Sequence, residues 1–309
     1  MIRRAGIFLI ALTALASIAP GLAPYDSGEA FNDYLHAPPM RPRLDGLTPV
    51  VNPLVLVDRL EQRFEADRSR TVKLPWIERD TTAPVFLLGA DDRGRDELSR
   101  LLYGARTSIS LALVATLGAV LIGALAGAWA GYRGGWIDDA IMRTADFVLV
   151  LPVIYVVLVL RAVLPLVLPA STVFLLVSAI FVLVGWPFVA KGVRAIVAVE
   201  RHREYVQAAQ SLGAGSLRIL TRHLIPACAG HLVVQATLLL PAFILAEATL
   251  SFIGLGFPDP IASWGTMLAG AGNYTAIARF PWTLAPAIAI FAIVLATNLI
   301  AAKRSNDLY

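Results

Sequence analysis

Residues 201–226 read RHREYVQAAQSLGAGSLRILTRHLIP, a charged stretch between two long apolar runs. Ala208 and Ala209 favour a helix and carry small side chains, so a partner can approach their backbone closely. Gly213 can adopt a positive φ and so end that helix. Pro226 lacks a backbone N–H and fits the first turn of the next helix. The stretch therefore predicts a short surface helix, a sharp turn and a helix that re-enters an apolar environment.

The composition of the chain is that of a membrane protein. Of its 309 residues, 57% are hydrophobic and 16% are charged, and the mean hydropathy is +0.69. The charges are depleted from long apolar runs, as in polytopic membrane proteins. A net charge of +4 can indicate nucleic acid binding. We reject that interpretation because the basic residues lie between apolar runs, as the positive-inside rule requires.

The apolar runs predict an all-α polytopic fold with about six transmembrane helices, since a spanning helix needs about 20 mostly apolar residues. The runs cover about 1–22, 108–130, 147–168, 171–190, 225–251 and 284–302. In the second run, Gly118, Gly123 and Gly127 form a small-residue seam that allows membrane helices to pack closely. A single cysteine, Cys228, excludes an internal disulfide and a cysteine-built metal site.

The runs divide the chain into three parts. We expect a first transmembrane helix at 1–22, an extracytoplasmic segment at 23–106 and a membrane core at 107–305, with a cytoplasmic loop at 191–224. The basic start and short apolar run of the first part also fit a cleaved signal peptide. We favour an uncleaved helix.

The segment at 23–106 carries charges of both signs and repeated prolines, so we expect it to be rich in loops, with a helix around 56–68. Its end, residues 89–100, reads GADDRGRDELSR. Three acids in six residues can indicate calcium, but the other EF-hand ligands are missing, and Arg93 and Arg95 neutralise the acids. We expect this motif instead to cap and seat a helix at 97–104 on the membrane surface.

Basic residues predict the orientation of the chain. They cluster at Arg3-Arg4, at Arg133 with Arg143, in the loop at 191–222 and at Lys303-Arg304. With six spans, these four segments fall on one side of the membrane, and the positive-inside rule makes that side the cytoplasm. Both termini are then cytoplasmic, and 23–106 and 252–283 lie outside.

Catalytic motifs are absent from the sequence. It contains no G-x-x-x-x-G-K-[ST], H-E-x-x-H or G-x-S-x-G, so we expect a protein that is not itself an enzyme and needs no cofactor. Two charges lie inside predicted spans, Arg161 and Glu247, and such residues are functional candidates. Either they pair and close the external side of a pathway, or each side chain reaches the outer interface separately.

The stretch at 201–226 resembles the cytoplasmic EAA loop of permease subunits from ABC importers. The pattern of that family is EAA, three residues, Gly, nine residues and I-x-L-P. This chain has Gln207-Ala208-Ala209, Gly213 and then HLIP at 223–226. Gln207 replaces the family's first Glu, which puts in doubt any ion pair expected from it. Glu204, on the same helical face, can supply that charge instead.

Two further patches support the resemblance. Residues 89–96 are similar to the G-T-D-x-x-G-R-D motif of dipeptide and oligopeptide permeases, with Ala90 replacing Thr. Residues 246–257, AEATLSFIGLGF, are similar to A-E-A-S-L-S-F-L-G-L-G of the same permeases, and Trp264 continues that pattern. Trp264 and Trp282 also fit an interfacial aromatic belt. Residues 23–88 match no pattern of the family.

The resemblance implies the type I permease fold and a place in the bacterial inner membrane as the C-type permease of a peptide importer. The implied partners are a homologous permease, two cytoplasmic ABC ATPases, an extracytoplasmic solute-binding protein and the lipid bilayer. The implied ATPase-coupling residues are Glu204, Gln207, Ala208, Ala209, Gly213 and Pro226. The solute stays open among dipeptides, oligopeptides, nickel, glutathione and others.

Two other classes of protein remain at this point. An ion-coupled secondary transporter requires inverted repeats and broken helices with charges at mid-membrane, and the sequence has no convincing internal repeat. A membrane-anchored structural or signalling protein would use 23–106 as a sensor.

Overall fold

The computed structural model describes residues 11–59, 61–77, 83–152, 155–159, 168–272 and 274–305. The chain forms two compact units. The first is built around Leu111–Ala246, and the second contains Thr13–Ser110 and Glu247–Ala292.

Helices make up most of the described chain. They are α1 (Ala11–Leu22), α2 (Glu97–Arg133), α3 (Gly135–Val150), α4 (Ala170–Glu200), α5 (Glu204–Ser211), α6 (Ser216–Ile219), α7 (Ile225–Ala227), α8 (Ala229–Phe252), α9 (Trp264–Gly270), α10 (Tyr274–Arg279) and α11 (Ala285–Ser305). The strands are β1 (Arg43–Asp45), β2 (Thr48–Val51), β3 (Leu54–Asp58), β4 (Arg63–Ala66) and β5 (Val72–Lys73). A π-helical turn covers Leu220–Leu224, and a 3-10 turn covers Pro281–Leu284.

Among the described residues, four helical segments are long and apolar enough to cross a membrane: α2, α4, α8 and Pro281–Leu299. They correspond to four of the six predicted spans. Of the first predicted span, at 1–22, only α1 is described.

The third predicted span, at 147–168, is interrupted. Helix α3 ends at Val150, and Leu151 is extended, with φ −73° and ψ 119°. Pro152 follows, and the residue before a proline is disfavoured in the α region. The chain is helical again at 155–159, whereas 153–154 and 160–167 lie outside the described residues.

The glycines of the predicted small-residue seam lie where α2 packs against α4. A Cβ added to Gly123 would lie 2.5 Å from the Cβ of Val189, and one added to Gly127 would overlap the backbone of Ala190. A Cβ on Gly118 would also meet a side chain of α4. The absence of side chains at these positions therefore sets how closely the two helices approach.

Helix α4 is longer than predicted and ends at Glu200 rather than near residue 190. Pro187 lies inside it and is buried. A proline removes one helical hydrogen bond, but membrane helices tolerate this because neighbouring groups satisfy the freed carbonyl. The predicted cytoplasmic loop at 191–224 therefore begins as a continuation of α4.

The all-α prediction is wrong between residues 43 and 73. Five strands form a three-stranded sheet of order β1-β2-β5 and a two-stranded sheet of β3 and β4, and all pairs are antiparallel. The helix expected around 56–68 is the hairpin of β3 and β4, which pairs Leu54 with Ala66. Exposure alternates along most of β3, which is the period of a half-buried strand.

These strands contribute to a separate small core. Its buried members are Ala37, Met40, Val51, Leu54, Val85, Phe86 and Ala90. The rings of Phe31 and Phe86 meet edge to face at 5.6 Å. The N–H of Val85 donates to the hydroxyl of Tyr25 at 2.7 Å, and the N–H of Tyr25 donates to Ser99 Oγ at 3.0 Å. Ser99 lies in the first turn of α2, so Tyr25 and Val85 are joined by hydrogen bonds to the start of that helix.

Candidate functional site

Helix α5 is the short surface helix predicted in the stretch at 201–226, and it ends at Gly213 as expected. Gly213 has a φ of 80°. Its N–H donates to the carbonyl of Gln210 at 2.9 Å, and the N–H of Ala214 donates to the carbonyl of Ala209 at 3.0 Å. These two bonds define a Schellman motif. No atom of the described residues lies within 4 Å of a Cβ built on Gly213, so the glycine is required for its backbone conformation and not for space.

Most of the predicted coupling residues lie on the surface of α5. Glu204, Gln207 and Ala208 are exposed, and Ala209 is half-buried. Val206 is the buried residue of this helix. The exposed face of α5 therefore presents small and polar side chains that a second protein can approach.

The surface beyond α5 is apolar in places. Leu212 is 88% exposed and Leu217 is 73% exposed, and large exposed apolar side chains indicate a contact surface. Pro226 lies in the first turn of α7 and is exposed, as the sequence predicts. The π-helical turn before it joins α6 to α7 without a loop.

Two arginines that precede α5 in the chain form hydrogen bonds to helices α2 and α3. Arg201 Nη1 donates to the carbonyls of Gly131 and Tyr132, each at 3.1 Å. These carbonyls belong to the last turn of α2, where a cation also interacts favourably with the helix dipole. Arg194 of α4 binds Asp138 of α3 through two nitrogens. The last turns of α2 and α4 are therefore held together immediately before α5.

Glu247, the buried acid of α8, accepts hydrogen bonds at both carboxylate oxygens. Ser108 Oγ donates to its Oε2 and Ser251 Oγ donates to its Oε1, each at 2.7 Å. The two hydroxyls in turn accept backbone N–H groups, Ser108 from Trp264 at 3.2 Å and Ser251 from Phe257 at 3.3 Å. Glu247 is 1% exposed. This network joins α2, α8 and the start of α9.

The second intramembrane candidate, Arg161, lies outside the described residues, so its pairing with Glu247 stays a prediction. Trp264 is 2% exposed, and its Nε1 donates to the carbonyl of Leu101 at 3.1 Å. It packs inside its unit, so the aromatic-belt interpretation is wrong for Trp264. Trp282 is half-buried and donates to the carbonyl of Ala90 at 3.0 Å.

The acidic motif at 89–100 caps α2, as predicted. Asp96 Oδ2 accepts the N–H of Ser99 at 2.7 Å and its hydroxyl at 2.6 Å, which is the N-cap arrangement. Burial raises the pKa of Asp96 to about 6, although the hydrogen bonds from Ser99 lower it. The predicted helix at 97–104 is not a separate surface helix, because it is the first part of α2.

The same motif forms an ion network with a distant residue. Arg95 binds Asp91 through Nε and Asp259 through Nη1, each at 2.7 Å, and Arg93 also pairs with Asp259. Burial raises the pKa of Asp259, but the hydrogen bond and charge of Arg95 outweigh that effect and lower it below its ordinary value. Within the described residues, no group of three His, Cys, Asp or Glu side chains is placed to hold a metal ion.

Several of these partners carry no signal in the sequence. Arg95 and Asp259 are far apart along the chain, and so are Ser108 and Glu247. Serines are common in apolar helices, so neither Ser108 nor Ser251 is distinguishable from a residue that bonds its own helix. Arg201 belongs to the predicted basic cluster, but its use as a cap for α2 depends on tertiary packing.

Comparison with known proteins places this membrane protein in a family. Residues 119–303 match the model of the family described as binding-protein-dependent transport system inner membrane component. The chain is 34% identical over 294 residues to the di/tripeptide transport system permease protein DppC of Pseudomonas aeruginosa, with 95% of this chain and 82% of that protein covered.

Two further similarities involve shorter regions. The oligopeptide transport system permease protein OppC of Bacillus subtilis is 40% identical over 196 residues, which cover 63% of this chain and 62% of that protein. A chain from an inward-facing crystal structure of the MetNI methionine ABC transporter is 18% identical, with a TM-score of 0.46, and covers 66% of this chain and 95% of that one.

The chain belongs to the family of inner membrane components of binding-protein-dependent transport systems. It is a multi-pass membrane protein and a transport subunit. The expected resemblance and the expected class, a transport protein rather than an enzyme, are confirmed.

Proposed function

We propose that this chain is the permease subunit of an ATP-driven importer of dipeptides or short oligopeptides. The observation that carries the proposal is the exposed helix α5, which ends in a glycine turn and lies in a member of this transport family. The peptide substrate is supported by the relatives, which are named as di/tripeptide and oligopeptide permeases.

The proposed complex contains a homologous permease, two cytoplasmic ABC ATPases and an extracytoplasmic solute-binding protein. An ATPase contacts the exposed face of α5 at Gln207 and Ala208, together with Leu212 and Leu217, whose apolar side chains are largely exposed. A partner there buries apolar surface that is otherwise in contact with water.

Motion of the ATPase passes into the membrane helices through rigid connections. The Schellman turn at Gly213 fixes the exit of α5, and Arg201 fixes its entry by capping α2. Because both ends of α5 are held, a force on this helix moves the helical ends of its unit as a group. Rocking of such groups alternates access to the pathway, provided that the ATPase binds one conformation more tightly than the other.

The proposed topology has six spans, with both termini and the segment at 191–224 in the cytoplasm and the segment at 23–106 outside. Four described helical segments are long and apolar enough to span, and α1 and residues 155–159 contribute to the other two. The ordered β structure between 43 and 73 suits an aqueous phase, because its sheet edges require hydrogen-bonding partners that lipid does not supply.

Glu247 is the proposed residue of an external gate, with Arg161 as its partner. The carboxylate of Glu247 retains acceptor sites beyond its two hydroxyl bonds. Reversing both charges should restore transport that each single reversal removes. Failure of the double variant to transport would exclude the pair.

The proposal is tested by copurification and by uptake of alanylalanine into proteoliposomes that contain the assembled complex. Ala208→Trp places a large side chain on the exposed face of α5 and should lose both the ATPase and ATP-driven uptake. Ala278→Trp, at an exposed alanine of α10, is the matched control and should keep both.

Full activity of the Ala208→Trp complex would contradict the proposed docking face. Uptake that needs no ATPase and stops with a protonophore would make the chain an ion-coupled transporter.

A further inference from the structure

The second unit contains a charged pocket with a volume of about 310 Å³. Its charged wall comes from the motif at 89–100 and from Asp259, and its other walls include His36 and α9. The lower end of the range for small-molecule sites is about 300 Å³. The charged pocket is therefore large enough for a small ligand.

The ionisable groups around the charged pocket are not all paired. Three guanidinium groups line it, those of Arg93, Arg95 and Arg100, together with four carboxyl groups, those of Asp91, Asp92, Glu97 and Asp259. The arginines pair with Asp91 and Asp259. In the part of the chain that the structure describes, Asp92 and Glu97 have no ion pair within 4 Å. The carboxyl groups of Asp92 and Glu97 are therefore left without an ionic partner among the described residues.

Two polar atoms at the wall of the charged pocket are buried and have no hydrogen-bond partner among the described residues. One is Glu97 Oε2, in a residue that is 2% exposed, and the other is His36 Nδ1. The imidazole of His36 stacks on Phe280 at 4.1 Å between ring centres. Burial lowers the pKa of His36, although Asp92 and Asp91 raise it. A neutral imidazole has one nitrogen that accepts, so both atoms can serve as acceptors.

We propose that the charged pocket binds a primary ammonium group, with Glu97 Oε2, His36 Nδ1 and Asp92 as its acceptors. An ammonium group has three donors and no acceptor, which matches this set. A metal ion fits less well, because no described group of three His, Cys, Asp or Glu side chains is placed to hold one. Resting on the proposed function, we assign the ammonium group to the amino end of a transported peptide.

The test is equilibrium dialysis of the full chain in lipid nanodiscs against radiolabelled alanylalanine, without ATP, ATPase or binding protein. N-acetylalanylalanine, which lacks the ammonium group, is the matched ligand. We expect saturable binding of alanylalanine that is at least about tenfold tighter than binding of the acetylated form, because an acceptor set built for a donor rejects a ligand without one. No saturable binding, or equal binding of the two ligands, would overturn the proposal.

Variants locate the site. Glu97→Gln and Asp92→Asn should each weaken alanylalanine binding by about tenfold, the effect of about one charge-assisted hydrogen bond. Glu61→Gln removes the same charge from an exposed position and should bind as the native chain does. If Glu97→Gln does not fold, binding by the Asp92→Asn variant, which is changed at an exposed position, decides the outcome. Unchanged binding in the folded variants would overturn the site.

The binding test separates the two proposals. If the native chain binds alanylalanine in dialysis but the assembled complex shows no ATP-driven uptake, the proposed function is overturned and the ammonium site of the charged pocket stands. Normal ATP-driven uptake with no binding in dialysis would overturn the charged pocket alone.

Discussion

At the scale of single residues, Gly213 matters for its backbone conformation and Asp96 for its protonation. Gly213 has a φ of 80° with empty space around its Cβ position. Asp96 caps α2 while 2% exposed, and its pKa lies at about 6. A substitution at Gly213 should therefore affect the turn, and a substitution at Asp96 should affect the pH dependence of stability.

Gly213→Val should remove ATP-driven uptake, because a β-branched residue is strained at positive φ. For an ordinary residue the left-handed conformation costs about 1–2 kcal/mol. Gly213→Asn is the control, since Asn tolerates this conformation, and it should keep most of the uptake. Equal uptake by the two variants would show that the turn does not transmit motion.

Asp96→Asn should change how stability depends on pH. The pKa of Asp96 is raised from 3.8 to about 6 in the folded protein, so this group stabilises the fold below pH 3.8 and loses that contribution as pH rises to about 6. Asn keeps the cap but does not titrate. The melting temperature of the variant minus that of the native chain should therefore rise between about pH 4 and pH 6 and level off above. A difference that stays constant with pH would contradict the assignment.

At the scale of elements, helices are joined by two kinds of contact. Glycines of α2 allow close approach to α4. Hydroxyl groups around Glu247 join α2, α8 and the start of α9. The first contact depends on the absence of a side chain, and the second depends on a hydrogen bond to each carboxyl oxygen of a buried acid.

Gly127→Ala should destabilise the folded chain, because the new methyl group overlaps the backbone of Ala190. Overpacking typically costs about 1–3 kcal/mol. Gly230→Ala is the matched control, since its Cβ position has no atom within 4 Å in the part of the chain that the structure describes. Thermal unfolding in detergent should give a lower melting temperature only for Gly127→Ala. A lower melting temperature for both variants would show that the loss of stability does not come from the close packing of α2 against α4.

Ser108→Ala should also lower the melting temperature. It leaves both Glu247 Oε2 and the N–H of Trp264 without the hydroxyl, and a buried group without a partner costs about 1–3 kcal/mol. Thr144→Ala removes a hydroxyl that bonds its own helix at an exposed position and should stay within about 0.5 kcal/mol of the native chain. Similar melting temperatures for the two variants would exclude a structural role for the network.

At the scale of the whole molecule, the proposed orientation places 23–106 and the stretch at 201–226 on opposite sides of the membrane. Leu47 is 99% exposed in the former and Leu212 is 88% exposed in the latter. The native Cys228 is buried, so it contributes little background labelling.

In intact cells, a membrane-impermeant maleimide should label Leu47→Cys and not Leu212→Cys. After permeabilisation both should react, because both positions are exposed. Mass spectrometry or a gel shift measures the labelled fraction. Labelling of Leu212→Cys in intact cells would place α5 outside the cell and remove the basis for coupling to a cytoplasmic ATPase.

Residue patterns alone predict the membrane class, four of the spans, the helix and turn at 204–213 and the cap at the start of α2. These features depend on local properties, namely apolar run length, glycine at positive φ and an acid before a helix. Two predictions from local patterns are wrong. The residues of the β3 and β4 hairpin predict a helix at 56–68, and the apolar run at 171–190 predicts an end near residue 190 that α4 does not have.

Contacts between groups that are distant in sequence depend on the folded chain. The pairing of Arg95 with Asp259, the bonds from Ser108 and Ser251 to Glu247, and the capping of α2 by Arg201 all join residues from different elements. The charged pocket arises in the same way, since Glu97 and His36 face one space only after folding. The physical reason is that burial and charge pairing depend on every element packed around a group, whereas helix propensity and turn geometry depend on its neighbours along the chain.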